Sequence, residues 1–411
     1  MTPRLSIVIP THNRRDILPR TLGALARQTA APAEYEVIVV ADGCTDDTGS
    51  VVQSLSLPYA VRVIDQPAGG AAAARNRGTT VASAPLVLFL DDDMEADPQL
   101  VAAHLQAHQV HPGGVVLGYF RPSLLGQCDD LPGVMVNLWW AERFAEMADP
   151  EHRFTFLDLF TGNVSMPRAA FDAVGGFDEQ FHGRAGEDYE LGLRLLKRRV
   201  PLRFVREASA THHDTSTTAR GFTRARAEGR GHVVMARKHP DACTALPLRW
   251  LLSEPPPHGL RAGLRPRAAG RSALLLALRA ALAVAEALKL RRVWKNLHGV
   301  AHSCAYWEGV INELGSWAAV ERFAQEMPLT PWQATEADVD VQTDLASLEA
   351  ILSAAPADAL RLRYGQTALG RIPAVAGAEP LRAPHVHHAL AEWFGRNVLM
   401  AIGDRTGEAP A

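Results

Sequence analysis

The most constraining feature of this sequence is a run of apolar residues, Leu86 to Leu90, that leads directly into three carboxylates, Asp91, Asp92 and Asp93. A short uninterrupted apolar run is typical of a strand that is buried on both faces, as in a parallel sheet covered by helices. Such a strand delivers the residues after it to the carboxyl edge of the sheet, where open α/β folds bind ligands. Three adjacent acids there fit a divalent metal site, and they fit a solvated acidic loop equally well.

Composition limits the class of protein. The chain has 411 residues, of which 47% are hydrophobic and 21% charged, as in a globular protein with more than one domain. A net charge of -3 gives no general attraction to nucleic acid, so we expect no such partner. The four cysteines have neither metal nor disulfide spacing, and the N-terminus enters a strand pattern without a signal peptide. We therefore expect a cytoplasmic protein.

Strand and helix patterns alternate through the first half of the chain, which predicts an α/β fold with a doubly wound, mostly parallel sheet over residues 1–215. Residues 216–328 are predicted to form a helical section, with a linker from Ser253 to Arg271. Residues 329–411 are predicted to be a small α+β section. Shorter elements are predicted as well: strands at Phe154–Phe160 and Leu202–Val205, a helix at Val339–Leu352 and a hairpin at Leu360–Leu369.

Polar side chains follow the predicted strands at one edge of the sheet. Pro10 and Thr11 follow the first strand, Asp42 the second, and Arg75 lies in the helix after the third. Together with the carboxylates after Leu90, they suit a nucleotide diphosphate and a bound metal. No G-x-G-x-x-G follows the first strand and no Walker-type lysine loop is present, which disfavours dinucleotide dehydrogenases and P-loop enzymes.

Five segments in this order resemble family 2 glycosyltransferases, which have the nucleotide-sugar-binding GT-A fold. The segments are Ser6–Arg14, Ala41–Asp46, Ala73–Gly78, Phe89–Asp93 and Gly186–Asp188. The resemblance covers roughly the first half of the chain. It implies an enzyme that transfers a sugar from a nucleotide diphosphate to an acceptor hydroxyl, usually with inversion. The acceptor, whether a glycan, a lipid or a small molecule, stays open.

The resemblance also implies roles for individual residues. Asp93 corresponds to the direct ligand of Mg²⁺ or Mn²⁺, and His212 matches a histidine that closes the metal site in some relatives, with His213 as the alternative. Asp188 resembles the general base, and Glu187 beside it would bind acceptor or support the loop. The positions that resemble donor-binding residues are Pro10, Thr11, Asn13, Arg14, Asp42, Arg75, Asp91 and Asp92.

Two departures from the family pattern matter. Ala41 stands where many members have the first of two adjacent acids, and Arg249-Trp250 keeps only part of the element found in processive synthases. We therefore expect a single addition of sugar. The alternatives are a sugar nucleotidyltransferase, which usually has a glycine-rich loop after the first strand, and a catalytically silent nucleotide-sugar-binding module.

Arginines are frequent in the predicted helical section. They could face an anionic acceptor or lipid headgroups, giving peripheral contact at the inner face of a membrane, although a solvated basic face explains them too. They are Arg220, Arg224, Arg226, Arg230, Arg237 and the cluster from Arg261 to Arg271.

Overall fold

A computed structural model describes residues 2–121, 131–213, 217–248, 268–327 and 330–406. Its centre is an eight-stranded sheet in the order β3-β2-β1-β4-β7-β6-β8-β5. The strands are β1 (Leu5–Thr11), β2 (Tyr35–Asp42), β3 (Ala60–Gln66), β4 (Leu86–Leu90), β5 (Met94–Ala96), β6 (Val115–Arg121), β7 (Asn163–Pro167) and β8 (Leu202–His212). The predicted α/β class, with a mostly parallel sheet, is confirmed.

The first four strands form a parallel half-sheet, in which β1 pairs with β2 and β4, and β2 pairs with β3. Every residue of β2 is buried, as the continuous apolar runs predict. Four helices alternate with these strands and the two that follow: α1 (Leu18–Leu25), α2 (Thr48–Ser54), α3 (Gly70–Val81) and α4 (Leu100–Val110). Helix α3 lies very close to the sheet, because a Cβ atom on Gly78 would be 2.3 Å from Cγ1 of Val8.

The other half of the sheet is mixed. Strand β7 runs antiparallel between β4 and β6, and β5 runs antiparallel to β8. The register pairs Met94 with His212, which places the end of β8 beside the acidic residues after β4. Three helices belong to this half: α5 (Leu131–Met147), α6 (Arg168–Ala173) and α7 (Glu187–Lys197).

The helical section contains α8 (Thr218–Lys238), α9 (Ala268–Ala287), α10 (Arg291–Leu314) and α11 (Trp317–Glu326). Helices α8 and α10 touch along their backbones, since a Cβ atom on Gly229 or Gly309 would lie 2.1 Å from a carbonyl oxygen of the other helix. Within the described ranges, we find no helix with the length and apolar character needed to cross a membrane.

The last section has its own core and a three-stranded sheet in the order β11-β10-β9. Its elements are β9 (Glu336–Asp340), α12 (Val341–Asp344), α13 (Leu348–Ala354), β10 (Ala359–Tyr364), β11 (Thr367–Ile372), α14 (Ala383–Glu392) and α15 (Gly395–Thr406). This section docks on the mixed half of the large sheet. The Arg153 guanidinium donates to the backbone oxygens of Glu379 and Asp358 (2.9 and 2.8 Å), and Phe156 N donates to the oxygen of Gly377.

Several local predictions were wrong or fall outside the described residues. Residues 154–160 form no strand. Asp158 accepts from Thr155 N (2.7 Å), and Thr155 Oγ1 accepts from Leu157 N, which together close a short 3-10 turn. Strand β8 extends to His212, well beyond the predicted Val205, while the predicted helix from Val339 begins as strand β9. The hairpin near Leu360–Leu369 is confirmed. Residues 253–267 of the predicted linker, Arg249-Trp250 and both domain boundaries, at 215/216 and 328/329, lie outside the described residues.

Candidate active site

Asp93 and His212 lie side by side at the carboxyl edge of the sheet. Their Oδ1 and Nε2 atoms are 3.3 Å apart. Burial would raise the pKa of Asp93, but the hydrogen bond and charge of His212, with a smaller effect of Arg14, lower it overall. His213 instead places Nε2 2.8 Å from Glu95 and donates its backbone N–H to the oxygen of Asp93. The geometry therefore puts His212, rather than His213, beside the acid.

This pair of side chains suits a hard divalent cation. Carboxylate oxygen and neutral imidazole nitrogen are both ligands for Mn²⁺, and Mg²⁺ is usually held by one or two carboxylates together with substrate phosphates. Among the residues that the structure describes, no cluster of three or more His, Cys, Asp or Glu side chains could enclose a metal alone. Asp93 and His212 are thus the two side chains that could contribute to a divalent cation site, with other ligands supplied by substrate or solvent.

Asp92, which precedes Asp93 in the chain, is buried. Burial, followed by the negative charge of Asp93, raises its pKa to about 6. Its Oδ1 is 3.7 Å from Nε of Arg14, and its backbone oxygen accepts from Thr21 Oγ1 at 2.7 Å. Asp92 and Arg14, both predicted to bind donor, thus lie next to each other, with Asp92 anchored to helix α1.

Arg75 connects residues that are far apart in sequence. Although its side chain is only 5% exposed, its Nη2 lies 3.0 Å from Oδ1 of Asp91 and its Nη1 lies 3.4 Å from Oε1 of Glu187. Its guanidinium carbon is 5.5 Å from the ring centre of Phe177, and its Nε atom is buried without a hydrogen-bond partner. Arg75 therefore links Asp91, which follows β4, to Glu187 in the first turn of α7.

Asp42 shapes the loop in front of α3. Its two carboxylate oxygens accept from the backbone N–H groups of Gly69 and Gly70, both at 2.7 Å, and from the Gln66 amide at 2.8 Å. Gly70 has φ +86°, which favours glycine. His182, which the sequence analysis missed, bonds the oxygen of Gly69 through Nδ1 at 2.7 Å. No sequence signal marks this histidine, because its partner is a backbone atom 113 residues away.

The loop after β1 holds the other predicted donor-binding residues. Asn13 has φ +54°, and its Oδ1 accepts from Thr45 N at 2.8 Å, which ties the ends of β1 and β2 together. Pro10 is partly exposed at the end of β1. Thr11 follows it, and its buried hydroxyl lies beside the Asp92 carboxylate, whose pKa it lowers. This edge therefore places Thr11 and the acids after β4 beside an ordered loop.

Asp188 lies in the first turn of α7, after Gly186, which has φ +108°. One carboxylate oxygen accepts from Tyr189 N at 2.8 Å. Burial, followed by the negative charge of Glu187, raises the pKa of Asp188 to about 7. A carboxylate with a pKa in this range can take up a proton at neutral pH.

The sequence of this region matches known families. The profile of the family described as "Glycosyl transferase family 2" matches residues 6–175, and that of the "N-terminal domain of galactosyltransferase" matches residues 142–218. The validoxylamine A glucosyltransferase of Streptomyces hygroscopicus subsp. limoneus is 42% identical over 229 residues, which cover 50% of this chain and 51% of that protein. The chondroitin synthase of Escherichia coli is 29% identical over 238 residues, covering 51% of this chain and 34% of that protein. The match thus spans about half the length of the validoxylamine A glucosyltransferase.

A solved structure shares the fold. The mannosyltransferase PcManGT from Pyrobaculum calidifontis, in complex with GDP-Man and Mn²⁺, superposes with a TM-score of 0.52 at 18% sequence identity. The match covers 75% of this chain and 87% of that one. At this level of identity the similarity concerns the fold alone.

Proposed function

Residues 6–175 belong to glycosyl transferase family 2, and from this premise we propose that the protein is a metal-dependent, inverting glycosyltransferase. It would move one sugar from a nucleotide diphosphate to an acceptor hydroxyl. The observation that carries the proposal is the double contact of Arg75. This buried cation joins Asp91, on the side assigned to the donor, to Glu187, which neighbours the assigned base.

The chemistry follows from the positions of the acids. The acceptor oxygen attacks the anomeric carbon from the side opposite the diphosphate. As the new C–O bond forms, the bond between carbon and the leaving oxygen breaks, and its electrons pass to the diphosphate. Asp188 takes the proton of the attacking hydroxyl, and its raised pKa makes it a stronger base than an ordinary aspartate. A single displacement of this kind inverts the anomeric configuration.

Two positive charges are proposed for the donor side, a bound divalent cation and the Arg75 guanidinium. Asp93 and His212 would hold Mg²⁺ or Mn²⁺, which when bound supplies Lewis-acid neutralisation of the charge on the departing diphosphate. Arg75 contributes a permanent positive charge at the same edge, through the guanidinium that contacts Asp91.

Donor turnover without acceptor tests the proposal. The protein is incubated with Mn²⁺ and a panel of nucleotide diphosphate sugars, beginning with glucosyl donors because the validoxylamine A enzyme is named a glucosyltransferase. We expect slow hydrolysis of one donor, loss of hydrolysis with a chelator and recovery with Mn²⁺ or Mg²⁺. No hydrolysis and no donor binding across the panel would refute the proposal.

Two variants separate the assigned roles. Asp188→Asn should keep donor and metal binding but lose transfer, since the amide cannot accept the proton. Asp93→Ala should lose metal-dependent donor binding. Asp16→Asn, whose side chain is 88% exposed, is the charge-matched control and should behave like the parent. Transfer by Asp188→Asn at the parental rate would contradict the base assignment.

We further propose peripheral contact with an anionic membrane surface, at the cytoplasmic face. Helix α9 exposes Leu276 and Val284 to solvent. The exposed Leu288 and Lys289 follow in the turn after it, and Arg291 is the first residue of α10. An apolar helix face flanked by basic residues is the pattern of an interfacial helix. The protein should sediment with vesicles that contain anionic phospholipid, and Leu288→Glu should weaken this. Equal sedimentation with neutral and anionic vesicles would contradict the proposal.

A further inference from the structure

Helix α5 carries aromatic side chains that differ in exposure. Trp140 and Phe144 are buried and pack edge-on against Phe120, at ring-centre distances of 4.6 and 4.8 Å. Trp139 beside them is 43% exposed, and its neighbour Leu138 is 50% exposed. A large aromatic ring held against a rigid core while it faces solvent is typical of a binding surface.

A row of rings joins Trp139 to the assigned base. The ring centre of Phe160 is 6.0 Å from that of Trp139, in an edge-to-face arrangement, and 6.3 Å from that of Tyr189. Tyr189 directly follows Asp188 in the first turn of α7. The row therefore begins at the residue next to the base and ends at an exposed tryptophan.

The same loop also touches the acids of the donor side. Two residues after Phe160, Gly162 accepts a hydrogen bond from Asp91 N at 3.1 Å. A Cβ atom on Gly162 would lie 2.9 Å from Oδ2 of Asp91, so the loop and the carboxylate are in direct contact. Phe160 thus lies between the acid that Arg75 holds and the helix that carries Asp188.

Trp139 also makes a cation–π contact with Arg143. The guanidinium carbon of Arg143 lies 5.9 Å from the Trp139 ring centre. Arg143 is in turn fixed by ion pairs with Asp158 at 3.4 Å and Glu146 at 2.9 Å. The Trp139 ring is therefore held in position before a ligand binds. Binding then loses less side-chain conformational entropy.

We propose that Trp139 and Phe160 form an acceptor platform, on which a pyranose or cyclitol ring of the acceptor stacks through its apolar C–H face. This inference rests on the proposed function. Such a ring presents C–H groups on its faces and hydroxyls at its edge, so it can pack on an electron-rich aromatic face and leave its hydroxyls free to react. Phe160, which contacts the Tyr189 ring, is the end of the platform nearer to Asp188. Arg143 can donate to other edge hydroxyls. The donor diphosphate, being anionic, belongs instead with Arg75 and the cation site.

The test uses myo-inositol and methyl β-D-glucopyranoside as probes, each added to the protein with Mn²⁺ and the donor that it hydrolyses. We expect at least one probe to change tryptophan fluorescence saturably and to form a glycosylated product. Trp139→Ala should raise the KM for that probe about tenfold, as expected for loss of one aromatic contact. Acceptor-independent donor hydrolysis should stay unchanged. Trp139→Phe should keep most of the affinity and lose most of the fluorescence change.

Leu138→Ala is the matched control, because Leu138 is adjacent and similarly exposed, and it should leave every parameter at the parental value. The inference is overturned if neither probe has a saturable effect on the parent, or if Trp139→Ala leaves the probe KM unchanged. It is also overturned if Trp139→Ala slows acceptor-independent hydrolysis, or if it turns a dimer into a monomer, which would mark a contact between copies of the chain. Failure of donor hydrolysis in the parent would instead count against the proposed function itself.

Discussion

Replacing Asp188 by asparagine should stabilise the protein while abolishing transfer. Burial and Glu187 raise the pKa of Asp188 from the ordinary 3.8 to about 7. A group whose pKa is raised by folding contributes stability that is fully present below its unfolded pKa and is lost as pH rises through the folded pKa. A pKa difference of one unit corresponds to about 1.4 kcal/mol. Above pH 7, the ionised Asp188 therefore lowers the free energy of unfolding by about 4 kcal/mol, relative to an aspartate whose pKa does not change on folding.

Asparagine stays neutral, so its advantage over the parent should grow between about pH 4 and pH 7 and then level off. From about pH 5 to about pH 8 we expect the difference in unfolding free energy between variant and parent to increase by about 2 to 3 kcal/mol. Urea unfolding in the presence of a chelator measures this difference, provided that the slope with denaturant is the same for both proteins.

The comparison between variant and parent is essential, because other groups titrate in the same range. Burial lowers the pKa of His104 and of His108 to about 4, which makes stability fall as pH drops through the same window. These contributions are common to both proteins and cancel. Asp16→Asn, at an exposed position, supplies the baseline for losing one surface charge. If Asp188→Asn and Asp16→Asn differ from the parent by the same amount at every pH, folding does not raise the pKa of Asp188 and the reasoning is refuted.

Two further substitutions probe the framework of the site. Arg75→Lys should raise the donor KM and lower the unfolding free energy by about 1 to 3 kcal/mol, because one ammonium cannot reproduce the forked contact with Asp91 and Glu187; unchanged donor kinetics would refute this. Gly377→Ala should lower the unfolding free energy by about 1 to 3 kcal/mol, since its Cβ would lie 2.3 Å from Phe156 and its φ is +72°. A melting temperature equal to that of the parent would contradict the second expectation.

Much of the central sheet could be predicted because its strands are buried on both faces. Residues 7–9, 37–41 and 86–90 are continuous apolar runs, and polar residues follow each run at the sheet edge. The inward side chains of α4, including His104 and His108, also follow from helical spacing. In the structure these histidines bond Asn163 and Ser165 of β7 at 2.9 and 2.8 Å.

The antiparallel half of the sheet could not be predicted in the same way. Strand β7 is inserted between β4 and β6 by long-range pairing, which leaves no local signal. At Phe154–Phe160 the aromatic residues suggested a strand, but the Thr155–Asp158 hydrogen bonds favoured a turn. The Thr-x-x-Asp spacing was visible in the sequence and could have indicated it. Likewise, the motifs named Arg75 and Glu187 individually, whereas their contact depends on the packing of α3 against α7.

The docking of the C-terminal section on the mixed half of the sheet makes that section part of the support for α7, the helix that carries the proposed base. Gly377 packs on Phe156 and on Leu193 of α7, the helix whose first turn carries Asp188. Without residues 330–406, Arg153 and Arg199 would lose their acidic and backbone partners in that section and Phe156 would lose its cover. Proteolytic cleavage or a substitution in the C-terminal section would therefore disturb the orientation of Asp188 without changing any residue of the proposed active site.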